Sequence, residues 1–512
     1  MADGGWQMAD GMADGRWQMA EAEAEAEADS ACLSPSAICH LPSVTRHPPS
    51  AIRHPLTRRT LLRTTLLAGA GIAFFPRIAW SQTDPWDTAR EILARIAPPN
   101  IPRRDFVVKK GAIQKTIDAA FKAGGGRVVV PAGDYEVAPI HLKSKIELHV
   151  AKDATVRFTR DTSKYPLVLT RWEGVELMNY SPLIYALDCE DIAITGEGTL
   201  DGQADEEHWW PWKGITTGKR DDVTKNADVP APQLADRNAL FKMGQDGVPV
   251  AERVFGAGHF LRPTFIEPYR CRNVLIEGVT IKNAPFWVTH PTLSSNVIVR
   301  GITVISHGPN NDGCDPECSR DVLIENCVFD TGDDCIALKS GRNNDGRRVN
   351  VPVENVVIRN CEMRDGHGGI TIGSEVSGGA RNVFAEKCRL DSPNLERGLR
   401  LKTNTVRGGV IENIFVRDIE IGNVKLAPIE IDLRYEPPES GPFLPEVRNV
   451  RIERMQSKTS KHAIYIRGLE QAPLKNIVVS DSVFRGVAEG DIIEGAVDLT
   501  LERVITEGEK KK

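Results

Sequence analysis

A nine-residue phrase recurs through the second half of the chain and restricts the fold more than any other feature. It reads NVLIEGVTI at Asn273, NVIVRGITV at Asn296, DVLIENCVF at Asp321, NVVIRNCEM at Asn355 and NVFAEKCRL at Asn382. It continues as NIFVRDIEI at Asn413, NVRIERMQS at Asn449, NIVVSDSVF at Asn476 and DLTLERVIT at Asp498. The steps between copies are 23, 25, 34, 27, 31, 36, 27 and 22 residues. Each copy opens on a turn residue, alternates apolar with polar side chains, and bends at Gly, Asn or Asp. Alternation of period two buries one side of a strand. A βαβ unit needs about 30 residues or more, and no helical periodicity fills the gaps. The pattern therefore predicts short strands stacked about 4.8 Å apart in successive coils: an all-β, single-stranded, right-handed parallel β-helix. The seventh residue of each copy runs Val279, Ile302, Cys327, Cys361, Cys388, Ile419, Met455, Ser482, Val504. That column is mostly apolar, so its cysteines read as small core residues and not as nucleophiles or bridges.

Upstream, Ala112 to Ala123 has the spacing of one amphipathic helix, closed by Gly124 to Gly126. A short N-terminal helix there covers the open end of the solenoid, which otherwise exposes apolar interior and unpaired strand edges. Strands are expected at Arg127 to Val130 and Ile146 to Val150. One domain is expected over 105–512, with an inserted loop at 203–268 where the repeat breaks. The insert carries HWWPW, with Trp209, Trp210 and Trp212. A loop this long projects from one face, either as a flap packed by its own tryptophans or as a wall on which sugar rings stack.

The first 56 residues hold an imperfect repeat and an Ala-Glu run with no apolar face. They read as a disordered leader or an upstream mis-called start, although no Met falls between Met19 and Met178. Residues 57–81 place Arg58 and Arg59 before an apolar run from Leu66 to Phe75, and resemble a twin-arginine export signal. The run is shorter than the about 20 residues of a spanning helix. A soluble periplasmic or extracellular protein is expected, with the twin-arginine export machinery as a partner and no stable membrane anchor. A formal charge of -6 argues against a nucleic-acid partner. Cys314 and Cys318 lack a matching His or Cys pair at zinc spacing.

Aligning the bends brings PNNDGCDPE, DTGDDCIALKS, RDGHGGITIGS and NLERGLRLKT to one place in four consecutive turns. Asp312 then falls above Asp334, and Asp333 above His367. Arg400 and Lys402 are two apart on a strand and share a face. A single Asp-Gly is a common turn pair. Two adjacent carboxylates with a third stacked beside them are costly unless one is protonated or a cation is near, and such arrangements concentrate where proteins act.

At these residues the chain resembles glycoside hydrolase family 28, the polygalacturonases. The family's motifs match NNDG from Asn310, GDD from Gly332, GHG from Gly366 and RLK from Arg400, with Asn311 for the usual Thr and Leu401 for the usual Ile. Tyr435 matches a tyrosine that follows the basic motif. The resemblance implies a pectin-lyase-like solenoid that hydrolyses α-1,4-galacturonosidic bonds of a pectic polysaccharide or oligogalacturonide with inversion, without cofactor or metal. Asp333 is then the general acid, Asp312 and Asp334 activate water, and His367 supports the proton. Asn310, Arg400, Lys402 and Tyr435 face the substrate. Negative neighbours are expected to keep Asp333 protonated. The Trp-rich insert, if it closes one end of the groove, favours trimming from a chain end. The alternatives are a rhamnogalacturonan hydrolase of the same family, a calcium-dependent pectate lyase and a carbohydrate-binding solenoid without activity.

Overall fold

Every copy of the repeated phrase forms a strand that pairs in parallel with its neighbouring copies. The computed structural model describes residues 84–214, 232–436 and 440–508; the expected leader and export signal lie outside them. Val274, Val297, Val322, Val356, Val383, Ile414, Val450 and Ile477 stand in one register column, each buried. A second row of strands, from Thr280–Lys282 to Arg389–Leu390, follows each bend. A third runs from Ile336–Leu338 through Ile370–Gly373, Arg397–Lys402 and Ala427–Asp432 to Ile464–Arg467 and Ile492–Glu494. These rows are the walls of a parallel β-helix.

The opening residue of each copy explains how the coils keep step. Asn273, Asn296, Asp321, Asn355, Asn382, Asn413, Asn449 and Asn476 all take φ between 53° and 58°, a region that Asn and Asp enter more readily than other non-glycine residues. Their side chains bond from coil to coil at 2.6 to 3.2 Å, as Asn382 Nδ2 does to Asn355 Oδ1 at 3.0 Å. The turn residue therefore sets both the bend and the register. The seventh-residue column is buried from Val279 to Ser482, and Cys327, Cys361 and Cys388 are free thiols within it.

Helix α2 (Ile113–Lys122) buries Ile113, Ile117 and Ala120 against the first coils, in the place expected for a cap. An additional helix, α1 (Pro85–Arg95), extends the described fold N-terminal of Asp105. Its Trp86, Ala89 and Ile92 cover an outward-facing apolar column of Ala193, Leu275, Ile298, Leu323, Val357, Phe384 and Phe415. Arg451 stands next in register after Phe415, so the apolar column ends there.

The insert is not a plain loop. It contains α3 (Pro232–Asp246), which packs with an antiparallel hairpin, Leu167–Trp172 and Val175–Tyr180, through Trp172, Val175, Leu177 and Leu240. Trp209 is buried against Tyr165, Tyr180 and Trp212. Trp210 is half-buried against the core, its indole donating to Ala284 O at 2.9 Å, and Gly308 admits it because a Cβ there would sit 2.2 Å from the ring. The tryptophans thus pack the insert against the solenoid, and Trp210 is placed at the cleft. Among the described residues no helix is long and apolar enough to cross a membrane. Removing the α1 anchor by Trp86→Ala is expected to lower stability by about 3 kcal/mol, read as a fall in the urea midpoint at unchanged slope.

Candidate active site

The third wall carries the chemistry because its register superposes the four bends. Cys314 pairs with Ile336, Ile336 with Ile370, and Ile370 with Leu399. Counting back two residues from each gives Asp312, Asp334, Gly368 and Arg397; counting back three gives Asn311, Asp333, His367 and Glu396. Asp312 and Asp334 are therefore neighbours, as are Asp333 and His367. Gly368 matters for its missing side chain: a Cβ would lie 2.7 Å from Asp334 Oδ1 and 3.2 Å from Arg400 Cδ.

Asp312, Asp333 and Asp334 each present an oxygen within 4.8 Å of the others, a distance one water molecule spans. Asp334 is fully buried and accepts from Lys402 Nζ at 2.8 Å and Arg400 Nη1 at 3.3 Å. Asp333 reaches the surface of the cleft and pairs with His367 Nδ1 at 2.9 Å. The Asp312 Oδ1 atom is buried without a hydrogen-bond partner, while Oδ2 lies 3.5 Å from Lys339 Nζ.

These surroundings separate three identical side chains. Burial pushes Asp312 up to about 7, reinforced by the charge of Asp333 and opposed by Lys339. Burial also acts to raise Asp334, but Lys402 and Arg400 outweigh it and hold the group below its ordinary value. At Asp333 burial is likewise overcome, chiefly by His367, and the carboxyl lies far below the usual range. His367 is raised in turn, first by the Asp333 charge. The expectation that negative neighbours keep Asp333 protonated is corrected: the imidazole 2.9 Å away favours the ionised carboxyl, and the raised carboxyl is Asp312.

Arg400 and Lys402 share a face as expected, and both are mostly covered. Arg400 Nε donates to Glu430 Oε1 at 3.0 Å. The two cationic groups lie 5.3 and 5.0 Å from the centre of the Tyr435 ring. Asn310 accepts from Arg262 Nη2 at 2.8 Å and borders the cleft. All of the sequence-predicted site residues except the buried Asp334 line one cavity of about 760 Å³; Asp334 sits beneath it. The hairpin tip at Glu173, the insert residues Trp210 and Lys213, and Arg237 of α3 line the same cavity.

Sequence reasoning missed Lys339, Arg342 and Glu375. Lys339 was accessible to the rule that found Lys402, since the register runs Glu317, Lys339, Gly373, Lys402, Asp432 on one face. Glu173 gave no such signal, because it arrives from a hairpin outside the repeat. The Asp333–His367 pair makes a direct prediction: in an NMR titration His367 should hold its proton to a pH above the ordinary value near 6.5, and Asp333→Asn should bring the midpoint down.

The sequence model of "Glycosyl hydrolases family 28" matches residues 258–495. A probable polygalacturonase of Vitis vinifera is 27% identical over 375 residues, covering 70% of this chain and 66% of the relative. An exo-poly-alpha-D-galacturonosidase of Dickeya chrysanthemi is 27% identical over 343 residues, covering 63% and 54%; the chain thus spans only part of the length of these relatives. The crystal structure of a hyperthermoactive exopolygalacturonase from Thermotoga maritima aligns at 47% identity with a TM-score of 0.77, over 82% of this chain and 96% of that one.

Proposed function

Since the chain belongs to glycosyl hydrolase family 28, we propose that it hydrolyses α-1,4-galacturonosidic bonds of polygalacturonate, working from a chain end as an exported enzyme. The observation that carries this reading is the set of Asp312, Asp333 and Asp334 oxygens within 4.8 Å, beside Arg400 and Lys402 on one cleft wall. Glycoside hydrolysis needs a proton on the bridging oxygen and a carboxylate acting on water or on the anomeric carbon.

Asp333 delivers the proton, drawing on the one it shares with His367. As the bridging oxygen takes it from Asp333, His367 Nδ1 replaces it, so the pair ends one proton poorer. Asp312 is the better acceptor for the proton of an attacking water, because its proton affinity lies near neutrality, where a general base is most effective. Asp334, held by Lys402 and Arg400, orients the same water. The remaining donors of Arg400 and Lys402 suit the uronate carboxylate, Arg by its fork and Lys as a point charge. Tyr435 and Asn310 border the sugar.

Chain-end action is supported by the wall that the hairpin, α3 and Trp210 raise along the cleft, and by the exopolygalacturonase aligned at 47% identity. The short carboxylate spacing also admits a retaining route, for which carboxyl groups about 5 to 5.5 Å apart are usual. Inversion therefore needs its own test: proton NMR of the first-formed product should show the β-anomer, and an initial α-anomer would mean a covalent intermediate.

Asp333→Asn is expected to lower kcat by about 10³-fold or more without unfolding the protein, in a reducing-end assay on polygalacturonate. Galacturonate monomer or dimer should appear first by chromatography; early long oligomers would mean internal cleavage. Release from rhamnogalacturonan alone would redirect the substrate, and binding without release would leave a carbohydrate-binding solenoid. Rates should fall as pH rises through the elevated pKa of His367, which empties the Asp333–His367 pair of its proton.

A second reading has one observation behind it, since the three carboxylates lie close enough together to face a cation. A cation-assisted lyase would lose activity to chelator and form unsaturated products. The hydrolase predicts neither, because Lys402, Arg400 and Lys339 already supply the counter-charge.

A further inference from the structure

We propose that Lys339 is a positioning residue for Asp312, holding that carboxylate beside Asp333 and Asp334 and setting the pH at which it becomes available as a base. The inference rests on the reading of Asp312 as the water-activating group and extends it to a residue in the wall behind. Lys339 extends the strand Ile336–Leu338 and is nearly fully buried. Its Nζ lies 3.5 Å from Asp312 Oδ2, 3.5 Å from Asp315 Oδ1 and 3.4 Å from Glu375 Oε2. The Trp287 ring closes its fourth side, with the ammonium 4.4 Å from the centroid. One cation thus faces three buried acids, and the effect depends on how its charge is divided.

Glu375 competes for that charge, accepting from Lys339 Nζ at its Oε2, and is also held by Arg342, whose Nη2 donates to its Oε1 at 2.7 Å and to Glu173 at 2.9 Å. Asp315 has both oxygens buried without a hydrogen-bond partner, an environment that favours its neutral form. Asp312 has no other cation within ion-pair distance among the described residues. The Lys339 charge is therefore divided mainly between Glu375, which takes its hydrogen bond, and Asp312.

The other charges facing Asp312 are accounted for. Asp333 and Asp334 meet it from the next coil, Asp315 adjoins it on its own coil, and Lys402 and Arg400 are ion-paired to Asp334, with Lys402 also acting on Asp312. His367 is paired with Asp333. From the preceding coil, His290 bonds Glu317 at 2.9 Å. Among the described residues Lys339 is thus the cation in ion-pair reach of Asp312, and its charge opposes the acids there more than the charge of Lys402 does. Lys402 pairs with Gly373, the residue after the partner of Leu338, so it lies along the same wall as Lys339.

The test uses the full chain with Lys339→Met and Glu375→Gln, whose signs are opposite. Removing the cation destabilises ionised Asp312, so the acid limb of the kcat/KM profile on polygalacturonate should move up by about one pH unit or more. Removing the competing anion should move it down. Lys339→Arg, which keeps the charge, should stay closer to wild type than Lys339→Met. Folded variants with unmoved limbs would overturn the proposal, and so would a rise in KM alone, which would make Lys339 a substrate contact. If Lys339→Met fails to fold by circular dichroism, the direction of the Glu375→Gln shift decides. A wild type that releases nothing from polygalacturonate would refute the substrate reading instead. In that event, the difference in proton uptake between wild type and variants, measured by potentiometric titration without substrate, still tests the coupling.

Discussion

Rung-to-rung register is the constraint on which everything else in this structure depends. In a strand, a slip of one residue turns every side chain to the opposite face. Here it would also take Asp312 away from Asp334 and Asp333 away from His367. The asparagine ladder opposes that slip, because each side chain at a positive φ finds its partner only when the coils are in step. The outward column under α1 adds a second constraint on the same wall, through packing and not hydrogen bonding. Structural residues far from the cleft thereby hold a chemical arrangement in place.

The electrostatics follow from that stacking. Three carboxylates meet in one place, and the surroundings give each a different proton affinity. His367 draws Asp333 down, Lys402 and Arg400 draw Asp334 down, and burial leaves Asp312 high. Interacting groups of this kind titrate as a set, so a change at any of the flanking cations should be felt at all three. Pairs of like groups pushed apart in affinity are a usual source of acid and base roles.

The repeat made the fold legible because its period-two alternation and its turn residues state the same structure twice. Aligning bends found Asp312, Asp333, Asp334, His367, Arg400 and Lys402 for the same reason: they lie inside the repeat, where sequence offset equals spatial offset. Lys339 was within reach of that logic and was passed over, being a charged residue after an apolar strand. Glu173, Arg237 and Lys213 were not within reach, since they come from the hairpin and insert, where no periodicity relates sequence to position. The downward shift of Asp333 was also hidden. Counting negative neighbours predicts a raised Asp333, and the 2.9 Å contact with the imidazole, aided by Lys402 and Lys339, reverses the sign.

The central claim is that the stacked carboxylates act on a sugar from two sides, with a water between Asp312 and Asp334. It is tested most directly by a crystal structure of the Asp333→Asn variant with a bound oligogalacturonate. The account predicts the scissile oxygen against residue 333, the uronate carboxylate on Arg400 and Lys402, and a water on Asp312 and Asp334 facing the anomeric carbon. A sugar bound elsewhere in the cleft, or an anomeric carbon pressed directly against a carboxylate oxygen, would contradict it.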